Sequence, residues 1–237
     1  QIIERLGGKR VHPNFAVPGG VNTPLGSRDR DAIAAEIETQ LGVAMEGVGL
    51  LTGWIEKNHE LALSFASFPS NYMGLVDAKG GLSLYDGQIR VCGPNGERID
   101  QFKPEDYLLH MAEHVEPWSF LKFPYYRKQG WPQGSYRVGP LGRLNVVDRI
   151  GTSLANEEFK TFRQLNGGRP VEGSLFYHYA RLIETLYCLE RIGQLLDDPR
   201  RPVRGPLEVV AHEDQLVAHD ARLAQDRARA VHEGRHA

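Results

Sequence analysis

The run HMAEH places His110, Glu113 and His114 within five positions. On a helix, histidines one turn apart can hold a zinc ion while the intervening glutamate activates water, and H-x-x-E-H is the inverted zinc-peptidase spacing. A third ligand is required, and Glu184 or Glu190 on a later helical stretch supplies the right chemistry. Against zinc stand a helix that must stop before Pro117 and nine histidines, enough to yield such a match by chance. A polar helix face meeting water is the competing reading. A second group of reactive types lies in GGKRVHPNFAVPGGV, residues 7 to 21, where Lys9, Arg10 and His12 sit in a backbone without helical or strand period. Cys92 and Cys188 stand alone, with no C-x-x-C pair, and read as buried thiols. His178 reads as a hydrogen-bonded core or interface histidine, and His212 and His219 as members of a solvated tail. No G-x-G-x-x-G or G-x-x-x-x-G-K-[ST] run is present, so nucleotide binding has no support.

These residues need elements to position them. Apolar residues recur at three and four spacings (Ile33, Ile37, Leu41, Ala44, Val48, Leu51, Ile55), which predicts a long helix over 28–58. A second long helix is predicted over 174–196, and its Leu182 and Leu186 face is expected to pack beside the first. Between them LSLY, IRVC and ERIDQF, separated by Asp86-Gly87 and Asn95-Gly96, predict a three-stranded meander. A short helix over 104–115 begins at Pro104, and a Gly, Pro and aromatic-rich loop follows from Trp118 to Asn145. The fold class expected is α+β, mainly α, with a small antiparallel β meander between long helices.

Composition excludes more than it specifies. With 28 basic and 30 acidic residues the net charge is -2, so neither nucleic acid nor an anionic membrane is expected as a partner. The longest apolar-leaning stretch, VAMEGVGLLTGWI, is interrupted by Glu46 and is too short for a membrane span. With no signal-peptide pattern either, a cytoplasmic setting is expected. The sequence opens on Gln1 and its first methionine is Met45, so an internal piece of a longer chain is expected. After Pro199 aromatic residues vanish while arginine and histidine accumulate. Residues 199–237 are therefore expected to be an atypical tail, disordered or loosely helical, attached to a domain over 1–198.

The opening GGKRVHPNFAVPGGV closely resembles the corresponding segment of nickel-iron hydrogenase large subunits. YMGLVDAKGGLSLYDGQIRV, WSFLKFPYYRKQGWPQGSYRVGPLGRLNVVDRIGT and NGGRPVEGSLFYHYARLIETLYCLERIGQLLDD extend the resemblance, in order, to about residue 198. They are most similar to the NAD-linked, cytoplasmic bidirectional type, with Gly142 standing where that family leads one to expect alanine. The resemblance implies a large-subunit-like core, reversible oxidation of dihydrogen to protons and electrons, and a nickel-iron centre. The partners it implies are NAD-reducing flavoprotein subunits and an iron-sulfur small subunit. In the family four cysteines in two C-x-x-C pairs hold the metals, and this sequence has neither pair, so no ligand role passes to Cys92 or Cys188. The chain alone is expected to be inactive. By the same resemblance His12 becomes a candidate proton relay, and Lys9 and Arg10 become charges near the metal centre and the small subunit. Their alternative role is to fix the loop, and the alternative for the whole chain is a structural or assembly segment without catalysis.

Overall fold

The computed structural model describes residues 2–18 and 20–198; the tail expected over 199–237 lies outside the described residues. In chain order the elements are α1 (Ile2–Gly7), β1 (Ala16–Val17), β2 (Gly20–Val21), α2 (Ser27–Lys57), α3 (His59–Ser64), β3 (Asn71–Val76), β4 (Gln88–Cys92) and β5 (Arg98–Phe102). There follow α4 (Tyr107–His110), β6 (Met111–His114), β7 (Phe123–Tyr126), β8 (Tyr136–Arg137), α5 (Gly139–Val146), α6 (Ser153–Gln164) and α7 (Phe176–Leu196). They divide into two compact units, one taking in residues up to Ala35 and the other Glu36–Asp197.

In the first unit α1 leads into the irregular opening loop, which closes on the short antiparallel pair β1–β2. Gly7 has Pro13 against the place a Cβ would occupy, so the chain can double back there only without a side chain.

The second unit is built on α2 from Glu36 onward, α7 and a four-stranded sheet of order β5-β4-β3-β8. Ala44, Val48 and Ile55 of α2 share one buried cluster with Tyr179, Ile183 and Leu186 of α7. The two helices run antiparallel: a Cβ on Gly47 would lie 3.5 Å from Leu182 Cδ2, and one on Gly193 would lie 3.8 Å from Ile37. Their apolar stripes therefore meet as the periodicity predicts.

The sheet corrects the expected meander. Its first strand is Asn71–Val76, not LSLY; Leu82 makes only an isolated bridge to Val76, and residues 83–85 take no strand form. The alternation of Leu82, Ser83, Leu84 and Tyr85 imitates a strand, but Gly80 and Gly81 turn the chain before it can pair. The Asn95-Gly96 hairpin holds, with Gly96 at φ 87° and the Gly93 N–H donating to Glu97 O at 2.9 Å. β8 adds a parallel edge to β3, pairing Asn71 with Tyr136.

No local pattern predicts α6, nor β7, β8 and α5, which occupy the stretch expected as one long loop. Two glycines let α5 press onto the sheet: a Cβ on Gly74 would lie 2.9 Å from Val146 Cγ2, and one on Gly142 would lie 2.6 Å from the Arg137 carbonyl. Three arginines then tie the connections down. Arg90 donates to Val146 O at 2.8 Å and Asp148 Oδ2 at 3.0 Å. Arg137 donates to the carbonyls of Glu172, Ala66 and Phe68, with its guanidinium 3.8 Å above the Phe68 ring. Arg143 forms a two-pronged pair with Glu184 at 2.6 and 2.7 Å.

Candidate functional site

The motif His110, Glu113, His114 does not lie on one helix. The segment expected as a helix over 104–115 is a 3-10 turn at Pro104–Asp106 and a single helical turn, α4, that ends at His110. Met111 is already extended, at φ -112° and ψ 146°, and begins β6. β6 pairs antiparallel with β7, Met111 opposite Tyr126 and His114 opposite Phe123. The β-prone aromatic run FPYY supplies the partner that draws MAEH out of a helix. Along a strand successive side chains alternate faces, so Glu113 and His114 point to opposite sides.

Their partners confirm the separation. His110 stacks on Phe102 at 3.8 Å with its Nδ1 2.9 Å from Asp100. His114 stacks on Trp131 at 4.7 Å with its Nε2 2.8 Å from Glu116. Glu113 accepts from Lys122 Nζ at 2.9 Å. Glu184 and Glu190, the candidate third ligands, are committed elsewhere: Glu184 to Arg143, and Glu190 to the N–H groups of Leu154 and Ala155 at 2.9 and 3.0 Å, where it caps α6. Among the described residues no three His, Cys, Asp or Glu side chains converge as a metal site. The zinc reading is overturned because the motif is split, His110 ending a helical turn while Glu113 and His114 lie on a strand with separate partners.

What the region does contain is a polar hub. Asp100 Oδ2 accepts from Tyr126 OH at 2.6 Å and from Lys128 Nζ at 3.0 Å, in addition to the His110 contact. Burial by itself pushes the Asp100 carboxyl up, but hydrogen bonds from Tyr126, Lys128, His110 and the Gln101 N–H outweigh it and hold it well below the usual carboxylate range. The hub joins β5, α4 and β7 around the small core of Met73, Val91, Phe102 and Tyr126. Sequence reasoning missed it. Asp100 sits inside a strand-like run, and nothing in that run signals the contacts made 10 and 26 positions away.

In the opening loop Lys9, Arg10 and His12 are all exposed. Arg10 donates to Glu4 at 2.8 Å, which lowers the Glu4 carboxyl and raises the guanidinium. His12 holds φ 49°, a left-handed backbone uncommon for a residue other than glycine.

Cys92 is buried in β4 and Cys188 lies part-buried on α7. Burial pushes both thiols up, the opposite of the lowered pKa that a metal-ligating thiolate shows. A nickel-iron centre held by soft thiolates has no fitting donor set among these residues, because the whole sequence contains only these two cysteines, 96 positions apart.

No protein-family model matches the chain. Among curated proteins it is 39% identical over 198 residues to a vhu subunit of the F420-non-reducing hydrogenase of Methanococcus voltae, covering 84% of this chain and 47% of that one. It is 37% identical over 205 residues to the beta subunit of the NAD-reducing hydrogenase HoxS of Cupriavidus necator, covering 84% of this chain and 42% of the relative. Among solved structures, an NAD+-reducing [NiFe]-hydrogenase in the H2-reduced state superposes with a TM-score of 0.77 at 39% identity, covering 82% of this chain and 44% of that one. A Ni-Fe-Se hydrogenase of D. vulgaris Hildenborough shares the fold at 18% identity, with a TM-score of 0.63. The chain thus spans about half the length of the curated relatives it matches.

Proposed function

We propose that this chain, which belongs to the nickel-iron hydrogenase large-subunit family, is the central scaffold of a subunit whose complex oxidises dihydrogen reversibly to protons and electrons. The observation that carries the proposal is the 39% identity and TM-score of 0.77 with an NAD+-reducing [NiFe]-hydrogenase over 82% of the chain. In the NAD-linked form of the proposal, electrons leave through an iron-sulfur small subunit to flavoprotein subunits that reduce NAD, in the cytoplasm. No described helix is long and apolar enough to cross a membrane. Residues 1–198 form the large-subunit part in this proposal.

The scaffold does not hold the metals itself. Its two cysteines lack the paired spacing, and their raised pKa values favour the thiol over the thiolate. In the same proposal His12 acts as a titratable relay, while Lys9 and Arg10 set the charge of a loop that faces the small subunit; exposure of all three supports this. The Arg10–Glu4 pair supports the competing role of fixing the loop.

The test is expression of the 237-residue chain with hydrogenase maturation proteins, followed by metal analysis and hydrogen-dependent dye reduction. No stoichiometric nickel and no dye reduction are expected. When the chain replaces the aligned segment of the M. voltae relative, which restores that protein's flanking sequence, both are expected to appear. A chimera that folds and assembles yet binds no nickel would refute the scaffold assignment. Nickel with dye reduction in the 237-residue chain alone would refute the cysteine argument.

A further inference from the structure

Arg90, Arg137 and Arg143 each direct two or more N–H groups to acceptors inside the fold. Arg163, in the last turn of α6, does not. Its guanidinium is drawn far enough into the protein for burial to lower its pKa. Yet among the described residues it has one acceptor, the Gly168 carbonyl, 2.8 Å from Nη2. A guanidinium carries five N–H donors, so four have no protein acceptor. Donors withdrawn from water cost free energy until something accepts from them.

Two more arginines share this face. Arg90 and Cys92 lie two positions apart on β4 and so point to the same side of the sheet. An irregularity between Val91 and Cys92 sets Arg98 of β5 opposite Cys92. A Cβ on Gly96, at the turn of this hairpin, would meet Pro170 Cδ at 3.3 Å, so the hairpin closes on the loop that follows α6. Burial pushes the Cys92 thiol up, and Arg90, Arg98 and Arg163 all pull against it, which places the three cations round one buried sulfur. Two carboxylates lie close by, and neither pairs with Arg98 or Arg163. Asp148 accepts from Arg90 Nη1 at 3.0 Å, and Glu97 folds back over Gly93 to accept from the Asn95 N–H at 3.0 Å.

We propose that Arg163 and Arg98, between the β4–β5 turn and the loop after α6, bind a phosphate-sized oxyanion. The planar fork of Arg163 suits two oxygens of one anion, and Arg98 supplies the second positive charge. Arg90 is held back by Asp148. Two unpaired guanidinium charges match a dianionic phosphate better than a single carboxylate. They are too few for a nucleic acid or an anionic membrane, which the carboxylates of Asp148 and Glu97 at the rim also repel. A free phosphate ion and the phosphoryl group of a monoester share this chemistry.

The test is a titration of the 15N-labelled 237-residue chain with inorganic phosphate, phenyl phosphate and acetate, each against sodium chloride of equal ionic strength. The Arg163 Nε–H resonance and the melting temperature are followed. Phosphate is expected to shift the resonance saturably and to raise the melting temperature, and chloride is not. Arg163→Gln and Arg98→Gln, read by the melting temperature, are each expected to weaken phosphate binding at least about tenfold, the loss that follows from one charge-assisted hydrogen bond. Arg181→Gln, an exposed change on α7, should leave binding unchanged. Binding of phosphate and phenyl phosphate alike would assign the phosphoryl group of an ester, and binding of phosphate alone the free ion; both uphold the site. Acetate bound as tightly as phosphate, no response beyond that of chloride, or undiminished binding by either arginine variant would overturn it. Should Arg163→Gln fail to fold in chloride, Arg98→Gln carries the test, because the exposed Arg98 side chain makes no hydrogen bond among the described residues. Neither nickel nor dihydrogen enters the measurement, so its outcome is independent of the catalytic proposal.

Discussion

Replacing Asp100 by Asn tests whether the hub around it stabilises the fold or merely decorates it. The substitution keeps the shape and removes the charge. Of the three groups donating to Oδ2, Lys128 is 63% exposed and contributes little, because water screens an exposed ion pair. Tyr126 is fully buried and His110 is 17% exposed, so losing their charged acceptor leaves two largely desolvated donors with a weaker or misoriented partner. With hydrogen bonds to a charged group contributing about 1.5–3 kcal/mol each, and one partly retained by Asn, the expected loss is about 2–3 kcal/mol. For a chain of this size that lowers Tm by roughly 4–12 °C.

The pH dependence gives a second reading of the same group. Because the folded Asp100 pKa lies below the unfolded value, its stabilisation is complete above about pH 5 and declines as pH falls through about 4 toward the folded pKa. Urea denaturation of parent and Asp100→Asn at about pH 5 and at about pH 3.5 should therefore show a gap that narrows at the lower pH. Lys128→Met should cost less than about 0.5 kcal/mol at either pH. An Asp100→Asn protein as stable as the parent at the higher pH, or a gap that widens on acidification, would show that the hub is solvated and that the reasoning about its burial is wrong.

Gly142→Ala should cost about 1–3 kcal/mol, because its Cβ would press on the Arg137 carbonyl of β8; thermal unfolding checks it, and a neutral result would mean that α5 shifts freely. Glu184→Gln leaves the Arg143 guanidinium part-buried beside a neutral amide and should destabilise by about 3 kcal/mol, read as a lower urea midpoint. Glu190→Ala removes the acceptor for two N–H groups at the start of α6 and should cost about 1–2 kcal/mol, seen as faster amide exchange at Leu154 and Ala155.

Which parts of this molecule are legible in its sequence follows from how local their causes are. The two long helices and the Asn95-Gly96 hairpin are written in short-range patterns, a period near 3.6 and a turn dipeptide, and they stand where those patterns put them. β6 is different. HMAEH has the spacing of a helical site, but whether it becomes helix or strand depends on FPYY, whose pairing register no local pattern displays. β8 and α5 are hidden for a related reason. Their positions depend on two glycines, Gly74 and Gly142, that permit contact between segments far apart in sequence. The family can be read from long runs of residues, whereas the hub at Asp100 cannot, because its members are scattered over β5, α4, β7 and the turn that follows β7.

The buried charges separate scaffold from reaction site. Arg90, Arg137 and Glu184 are each less than one-tenth exposed, and each commits its hydrogen bonds inside the fold, to backbone carbonyls or to a side chain of opposite or neutral character. A group held ready for chemistry is instead left aimed into a cleft with its pKa set by neighbours it does not fully satisfy. Asp100, the carboxylate whose pKa is moved furthest in the described residues, is satisfied by three donors and lies among the residues that fix a hairpin to a sheet. Polar groups so fully engaged rigidify the elements they join. They fix the sheet, α5 and α7 to one another through side chains that have no partner left to offer a reacting molecule.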